Sequence, residues 1–308
     1  MSKKGIHHIT AVAGNPQKNY EFYTQVLGLR MVKKTVNFDD PSVYHLYYGN
    51  EKGDPGTILT FFPWEHLQDG KPDNGQVVAI SFSIPTGSKK FWLDHLKKHN
   101  IDIETPFSRF GKEVIGLQDP NGLHLELVLD PKAENVEGWD NGPVPSNHSI
   151  RGFHGATLAE KDYNKTGQLL EEHLGFKQTN QLDNRYLYET DAQFGSVIEI
   201  IDQFDLHGRD GKGTVHHIAF RAADEEEQLE MCEKLEYKGY YLTDVKDRQY
   251  FKSVYFHEPG GILFEIATDP PGFMIDEDAG ELGSSLKLPE WLETHRHNIE
   301  RELPELTS

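Results

Sequence analysis

Two pairs of adjacent histidines, His7-His8 and His216-His217, and a glutamate inside an apolar run, Glu265 in ILFEIA, are the residues whose types and spacing could do chemistry. Imidazole nitrogen and carboxylate oxygen are donors for divalent transition metals. Two histidines with one carboxylate leave coordination positions open, as in non-haem Fe(II) oxygen chemistry, although Mn(II), Zn(II) or Ni(II) accept the same donors. Cys232 is the single cysteine, so no intrachain disulfide or thiolate zinc cluster can form, and a metal must be held by histidine and carboxylate. Cys232 itself falls in the helix-like stretch LEMCEKL, where it reads as a buried small residue.

With 16 histidines in the chain, a double histidine means little until its place in the architecture is known. Internal repetition supplies that place. Residues 5–29, GIHHITAVAGNPQKNYEFYTQVLGL, resemble residues 152–176, GFHGATLAEKDYNKTGQLLEEHLGF. Residues 77–99 match residues 215–238 in the same way, and each is followed by an acidic-Pro turn and a last strand, DPNGLHLELVLD or EPGGILFEIATD. Alternating apolar positions give way to a helical period and then to runs rich in Val, Ile, Tyr and Phe. Four βαβββ modules of an α+β fold are therefore expected, in two tandem halves. Helix starts fall at Asn15-Pro16, Thr86, Asp162 and Asp224, and stops at Gly28, Gly175 and Gly239. The aperiodic stretch 131–150, rich in Pro, Asn and Gly, marks the join. The expected division is a first half at 1–135, a linker at 136–150, a second half at 151–270 and a tail at 271–308. The tail ends in a predicted helix with Trp291, His295, Ile299 and Leu303 on one stripe, docked on the protein's own body or on a second subunit.

Neighbours on a strand point to opposite faces, so one member of each histidine pair can face a shared metal. Ile218 and Phe220 share the face of His216, which leaves His217 with Ala219 on the other; Ile262, Phe264 and Ile266 likewise leave Glu265 with Leu263 and Ala267. His8 is taken by the same count. Strict alternation puts His7 and His216 away from the metal. In the module alignment His8 lies opposite Gly155 and His217 opposite Ala79, while modules two and three keep only the carboxylates Glu126 and Glu199 and module one has Thr60 at a fourth, non-ligating position. One metal shared by His8, His217 and Glu265 requires module one to sit against module four.

Fifty acidic against 31 basic residues give a net charge of −19, which disfavours nucleic acid or an anionic membrane as partner. No apolar run approaches the ~20 residues that span a bilayer, and MSKKGIHHIT lacks a secretory h-region, so a cytoplasmic protein acting on a small molecule is expected.

The four modules, the HHIT and HHIAF strands and GGILFEIATD resemble the vicinal oxygen chelate superfamily, which includes glyoxalase I, bleomycin-resistance proteins and extradiol dioxygenases. The likeness spans residues 5 to about 270. The stretches DPSVYHLYYGNEKGDPGTILTFFPW and NGPVPSNHSIRGFHGATL make the chain similar to the ring-cleaving dioxygenases that act on hydroquinones. That resemblance implies two tandem glyoxalase-like domains and Fe(II), with Mn(II) as an alternative, on His8, His217 and Glu265. It also implies an active-site shell of His7, Thr10, His216, Arg248 and Tyr255. Hydroquinone and O2 would be the substrates, and 4-hydroxymuconic semialdehyde the product. Tyr44, Tyr47, Phe61 and Phe251 are candidate pocket aromatics that core packing explains equally well. The competing readings are a catechol extradiol dioxygenase, a glyoxalase-like isomerase or lyase, and a non-enzymatic resistance-type binding protein.

Overall fold

The computed structural model describes residues 4–203 and 208–307. Module one comprises β1 (Ile6–Ala13), α1 (Pro16–Glu21), β2 (Arg30–Asn37), β3 (Asp40–Gly49) and β4 (Ile58–Pro63). Module two follows with β5 (Gln76–Ile84), α2 (Lys89–Lys98), β6 (Phe107–Arg109), β7 (Lys112–Gln118) and β8 (His124–Leu129). Module three holds β9 (Gly152–Glu160), α3 (Tyr163–His173), β10 (Lys177–Leu182), β11 (Arg185–Glu189) and β12 (Val197–Asp202). Module four holds β13 (Val215–Ala222), α4 (Glu225–Tyr237), β14 (Lys246–Asp247), β15 (Lys252–His257) and β16 (Leu263–Thr268).

The helices begin where short polar side chains can satisfy free amides. Asn15 accepts from the Lys18 amide with Pro16 in the first turn, Asp162 accepts from Asn164, and Asp224 accepts from Glu227. Thr86 is the exception: it opens a short 3₁₀ turn, and α2 starts three residues later at Lys89. A π-helical turn at Phe22–Val26 continues α1 to Gly28, and Gly28 and Gly175 stop their helices at φ of 69° and 78°, a region in which a Cβ is strained.

Two eight-stranded sheets result, with strand orders β14-β15-β16-β13-β1-β4-β3-β2 and β10-β11-β12-β9-β5-β8-β7-β6. Module one therefore joins module four through the antiparallel β1–β13 pair, and module two joins module three through β5–β9. One face of each strand packs under the helices: Ile218, Phe220, Phe264 and Ile266 are buried in the same core as Met231 and Leu235 of α4. Cys232 is buried in α4 as well, and burial pushes its thiol up to about 11. Among the described residues no helix is long and apolar enough to cross a membrane.

The stretch joining the halves is packed. Val144 and Ile150 are buried, and the Arg151 guanidinium donates to the carbonyls of Ala133, Ser146 and Ser149. The tail differs from the single helix expected. It breaks at Thr294–His295 into α5 (Glu290–Glu293) and α6 (Arg296–Glu302), and Trp291 and His295 are exposed. Ile299 and Leu303 are buried, and the Tyr44 hydroxyl donates to the Pro304 carbonyl at 3.0 Å, so the tail docks on β3 of its own chain.

Candidate functional site

Sheet register determines which side chains meet. In the first sheet Ile6 lies opposite Phe220 but His8 opposite Ala219, so β1 carries one extra residue at His7; Thr10 lies opposite His217 but Ala11 opposite Val215, so β13 carries one extra at His216. Two β-bulges thus interrupt the alternation at both double histidines, and each pair can turn toward one region. The strict alternation expected from sequence, which set His7 and His216 on the far face, fails for this reason.

His8, His217 and Glu265 converge, and all three are buried. Their Nε2 atoms are 3.3 Å apart, and Glu265 Oε2 lies 3.4 Å from His8 Nε2 and 3.0 Å from His217 Nε2. Yet Glu265 Oε2 has no hydrogen-bond partner among the described residues. Donors ~2.1 Å from a common ion and ~90–110° apart are themselves separated by about 3.0–3.4 Å, so this triangle has the dimensions of a coordination face. His8 Nδ1 lies 2.9 Å from His7 Nδ1, and His217 Nδ1 lies 2.8 Å from His216 Nδ1. If each inner ring donates from Nδ1 to its neighbour, its Nε2 lone pair is left facing Glu265, which is how a second group fixes the tautomer of a metal-bound imidazole.

The charge states agree with that geometry. Burial works to raise the Glu265 carboxyl, but His8 and His217 beside it hold it well below the usual carboxylate range. Burial lowers His217 against the opposing pull of Glu265. An ionised carboxylate and a neutral imidazole are the forms that ligate.

The trio opens into a cavity of about 450 Å³. One wall comes from β3 and β4, with His45, Tyr47 and Phe62; the other comes from β15 and the turn before it, with Arg248, Phe251 and Tyr255. Arg248 Nε donates to the Tyr255 hydroxyl at 3.3 Å, and its Nη1 donates to Asp39 Oδ2 at 2.9 Å. Burial first, and Glu265 second, push the Tyr255 phenol above its ordinary range, while Arg248 pulls it back in part. His216 lines the cavity, whereas His7 is buried behind His8 and Phe251. Thr10 does not reach the cavity; its hydroxyl accepts from Thr60 at 2.9 Å. Of the candidate aromatics, Tyr47 and Phe251 line the cavity, and Tyr44 and Phe61 belong to the main core.

Among the neighbours of the site that were not foreseen, Ser253 and His45 matter most. Ser253 is fully buried and its hydroxyl donates to the other Glu265 oxygen, Oε1. Alternation in KSVYFH already places Ser253 on the face of Tyr255, which pairs with Glu265, so a signal existed. His45 bridges Tyr47 and Thr60 through its two ring nitrogens, each at 2.8 Å, and nothing in its sequence surroundings marks it.

Residues 5–127 and 152–275 each match the family model of the Glyoxalase/Bleomycin resistance protein/Dioxygenase superfamily. The chain belongs to this superfamily. Among its relatives, MhqO of Bacillus subtilis (strain 168), provisionally named a ring-cleaving dioxygenase, is 47% identical over 98% of this chain and 97% of its own length. The chlorohydroquinone/hydroquinone 1,2-dioxygenase of Sphingobium indicum is 34% identical, covering 94% of this chain and 92% of the relative. A crystal structure of a provisionally named Bacillus subtilis dioxygenase superposes with a TM-score of 0.95 at 46% identity, covering 99% and 98% of the two chains. Glyoxalase I from Zea mays superposes with a TM-score of 0.63 at 15% identity over 86% of this chain and 92% of its own, and shares the superfamily fold.

Proposed function

We propose that the protein is an Fe(II)-dependent ring-cleaving dioxygenase that opens hydroquinone-type rings with O2, with His8, His217 and Glu265 as the metal ligands. The observation that carries this reading is the buried, orphaned Glu265 oxygen facing two imidazole nitrogens at the floor of a cavity with aromatic walls. A buried charge without a partner is costly, and a divalent cation removes that cost. The names of the relatives supply the reaction class.

When bound, iron would supply Lewis acidity toward a ring hydroxyl and one-electron chemistry toward O2, which as a triplet reacts slowly with a closed-shell ring. The chain's own residues bind, orient and move protons. His7 and His216 hold the ligand imidazoles in one tautomer, and Ser253 fixes the Glu265 carboxylate. Arg248 offers a fixed positive charge to an oxyanion developing on the substrate. The Tyr255 hydroxyl, hydrogen-bonded to Arg248 and kept protonated by its raised pKa, can give a proton to that oxygen. The aromatic walls exclude water from the electron-rich ring. Mn(II) would accept the same donors, and catechol is the runner-up substrate.

Thr60 stands where a glyoxalase-like centre would need a fourth protein ligand, and its hydroxyl is engaged with Thr10 and His45. The test is O2 uptake by anaerobically reconstituted Fe(II) protein with hydroquinone, methylhydroquinone, chlorohydroquinone and catechol. Turnover with a hydroquinone is expected. Turnover of methylglyoxal–thiol adducts with no O2 consumed by any of the four rings would overturn the reading.

A further inference from the structure

The two walls of the cavity differ in what their polar atoms are free to do. On the β15 side Tyr255 and Arg248 line the cavity, the guanidinium bonded to the phenol and to Asp39 at the mouth. On the β3–β4 side His45 is the polar ring, and both of its nitrogens are engaged within the wall: Nδ1 with the Tyr47 hydroxyl and Nε2 with the Thr60 hydroxyl, each at 2.8 Å. Thr60 passes its own proton to Thr10, so its oxygen is left to accept from His45 Nε2–H. His45 Nδ1 must then accept from Tyr47. The chain of donors runs one way, from Tyr47 into His45 and from His45 through Thr60 to Thr10, and it holds His45 as the neutral Nε2–H tautomer with no polar atom left over.

The same ring packs against two others. Its centroid is 4.1 Å from that of Tyr47 at 34° and 4.3 Å from that of Phe62 at 43°, and Phe62 continues to Trp64 at 5.0 Å. His45, Phe62 and Trp64 all line the cavity. Hydrogen bonds at both ends and two tilted ring contacts leave the imidazole little freedom to rotate while it still lines the cavity.

We propose that His45 is the positioning residue of the substrate ring: an imidazole whose nitrogens are both used internally, serving as a rigid aromatic face that sets the ring's angle while proton transfer is left to Tyr255 and charge stabilisation to Arg248. This rests on the cavity being an aromatic-ring site. Two different side chains of similar shape separate the roles, because a phenyl group can stack but cannot transfer a proton.

The test has two independent parts. Nitrogen-15 NMR of the metal-free protein is expected to show His45 as the neutral Nε2–H tautomer; an Nδ1–H tautomer or an imidazolium would overturn the proposal without reference to any reaction. Anaerobic titration of the Fe(II) protein with hydroquinone, followed through Trp64 fluorescence, is expected to show binding weakened roughly tenfold in His45→Ala and largely restored in His45→Phe. In air, a ring held at the wrong angle loses two electrons and two protons to O2, giving quinone and H2O2 in place of the opened product. His45→Ala should raise the ratio of H2O2 to opened ring, and His45→Phe should bring it back. Unchanged binding and partitioning in His45→Ala, or a His45→Phe variant as defective as His45→Ala, would overturn the proposal. If hydroquinone binds with these rankings but no variant and not the parent opens the ring, the dioxygenase reading fails while the positioning role stands.

Discussion

In the sheet built from modules two and three, the place of Glu265 is taken by Glu126 and that of Thr60 by Glu199, as the matching strand registers show. Both carboxylates are buried, and both are satisfied by cations of the chain itself. Arg109 grips Glu126 with Nη1 and Nη2 at 2.9 and 2.6 Å and reaches Glu199 with Nε at 2.7 Å, and Arg185 closes on the remaining Glu199 oxygen. In the sheet built from modules one and four, Glu265 faces two neutral-capable imidazoles and one of its oxygens has no hydrogen-bond partner among the described residues. Equivalent positions thus resolve a buried negative charge in two ways: a guanidinium makes one cavity self-sufficient, and the other calls for an external cation. The difference also has a steric side. A Cβ on Gly155, the counterpart of His8, would lie 2.1 Å from the Val197 carbonyl oxygen, so a histidine cannot be restored there without moving β12.

Removing a ligand is expected to separate the sheets most sharply. His217→Ala should lower Fe(II) affinity by more than the roughly 100-fold that loss of an orienting neighbour can cost, measured by equilibrium dialysis under anaerobic conditions. Removing the internal cation should leave the metal alone and strike stability. Arg109→Met leaves the buried Glu126 without a cationic partner, with only the Ser81 hydroxyl, and Glu199 with Arg185 alone, and should cost about 3–5 kcal/mol in denaturant unfolding at neutral pH. The sign with pH follows from Glu126: burial raises it, but Arg109 outweighs that and holds it below its ordinary value, so its contribution is present above the unfolded pKa and fades as pH falls through the folded one. Without Arg109 the folded pKa should move up, and the deficit of the variant should shrink on acidification.

Smaller effects refine the picture. Ser253→Ala frees the Glu265 carboxylate to rotate and should weaken metal binding about 10- to 100-fold, and by leaving a buried acceptor unsatisfied it should also cost the metal-free protein about 1–3 kcal/mol in unfolding. Asp39→Asn removes an exposed partner of Arg248 across the cavity mouth, a surface pair worth ~1 kcal/mol or less. Its expected signature is a change in KM of a few fold that disappears at high salt.

Much of this architecture was legible in the residues. The four-fold repeat, the pairing of module one with module four, and the convergence of His8, His217 and Glu265 all follow from periods that sequence preserves. What alternation could not show was a departure from alternation: single extra residues at His7 and His216 rotate both pairs, and a bulge leaves no trace in a two-residue period. Long-range partners were hidden for a related reason. Arg109 fills the second cavity from a three-residue strand, and His45 is defined by Thr60 and Tyr47, neither of which marks it in sequence. The tail helix misled because Trp291 and Ile299 share a helical stripe only if the helix continues through Thr294, and it does not.

The proposed metal would be held between the first and last modules. Anaerobic Fe(II) loading of the full chain and of Glu265→Gln, with metal content and O2 uptake on hydroquinone measured side by side, tests that most directly. One iron per chain in the parent, and loss of both iron and O2 uptake in a variant that remains folded, is the predicted result. A Glu265→Gln protein that keeps its iron and its turnover would contradict it.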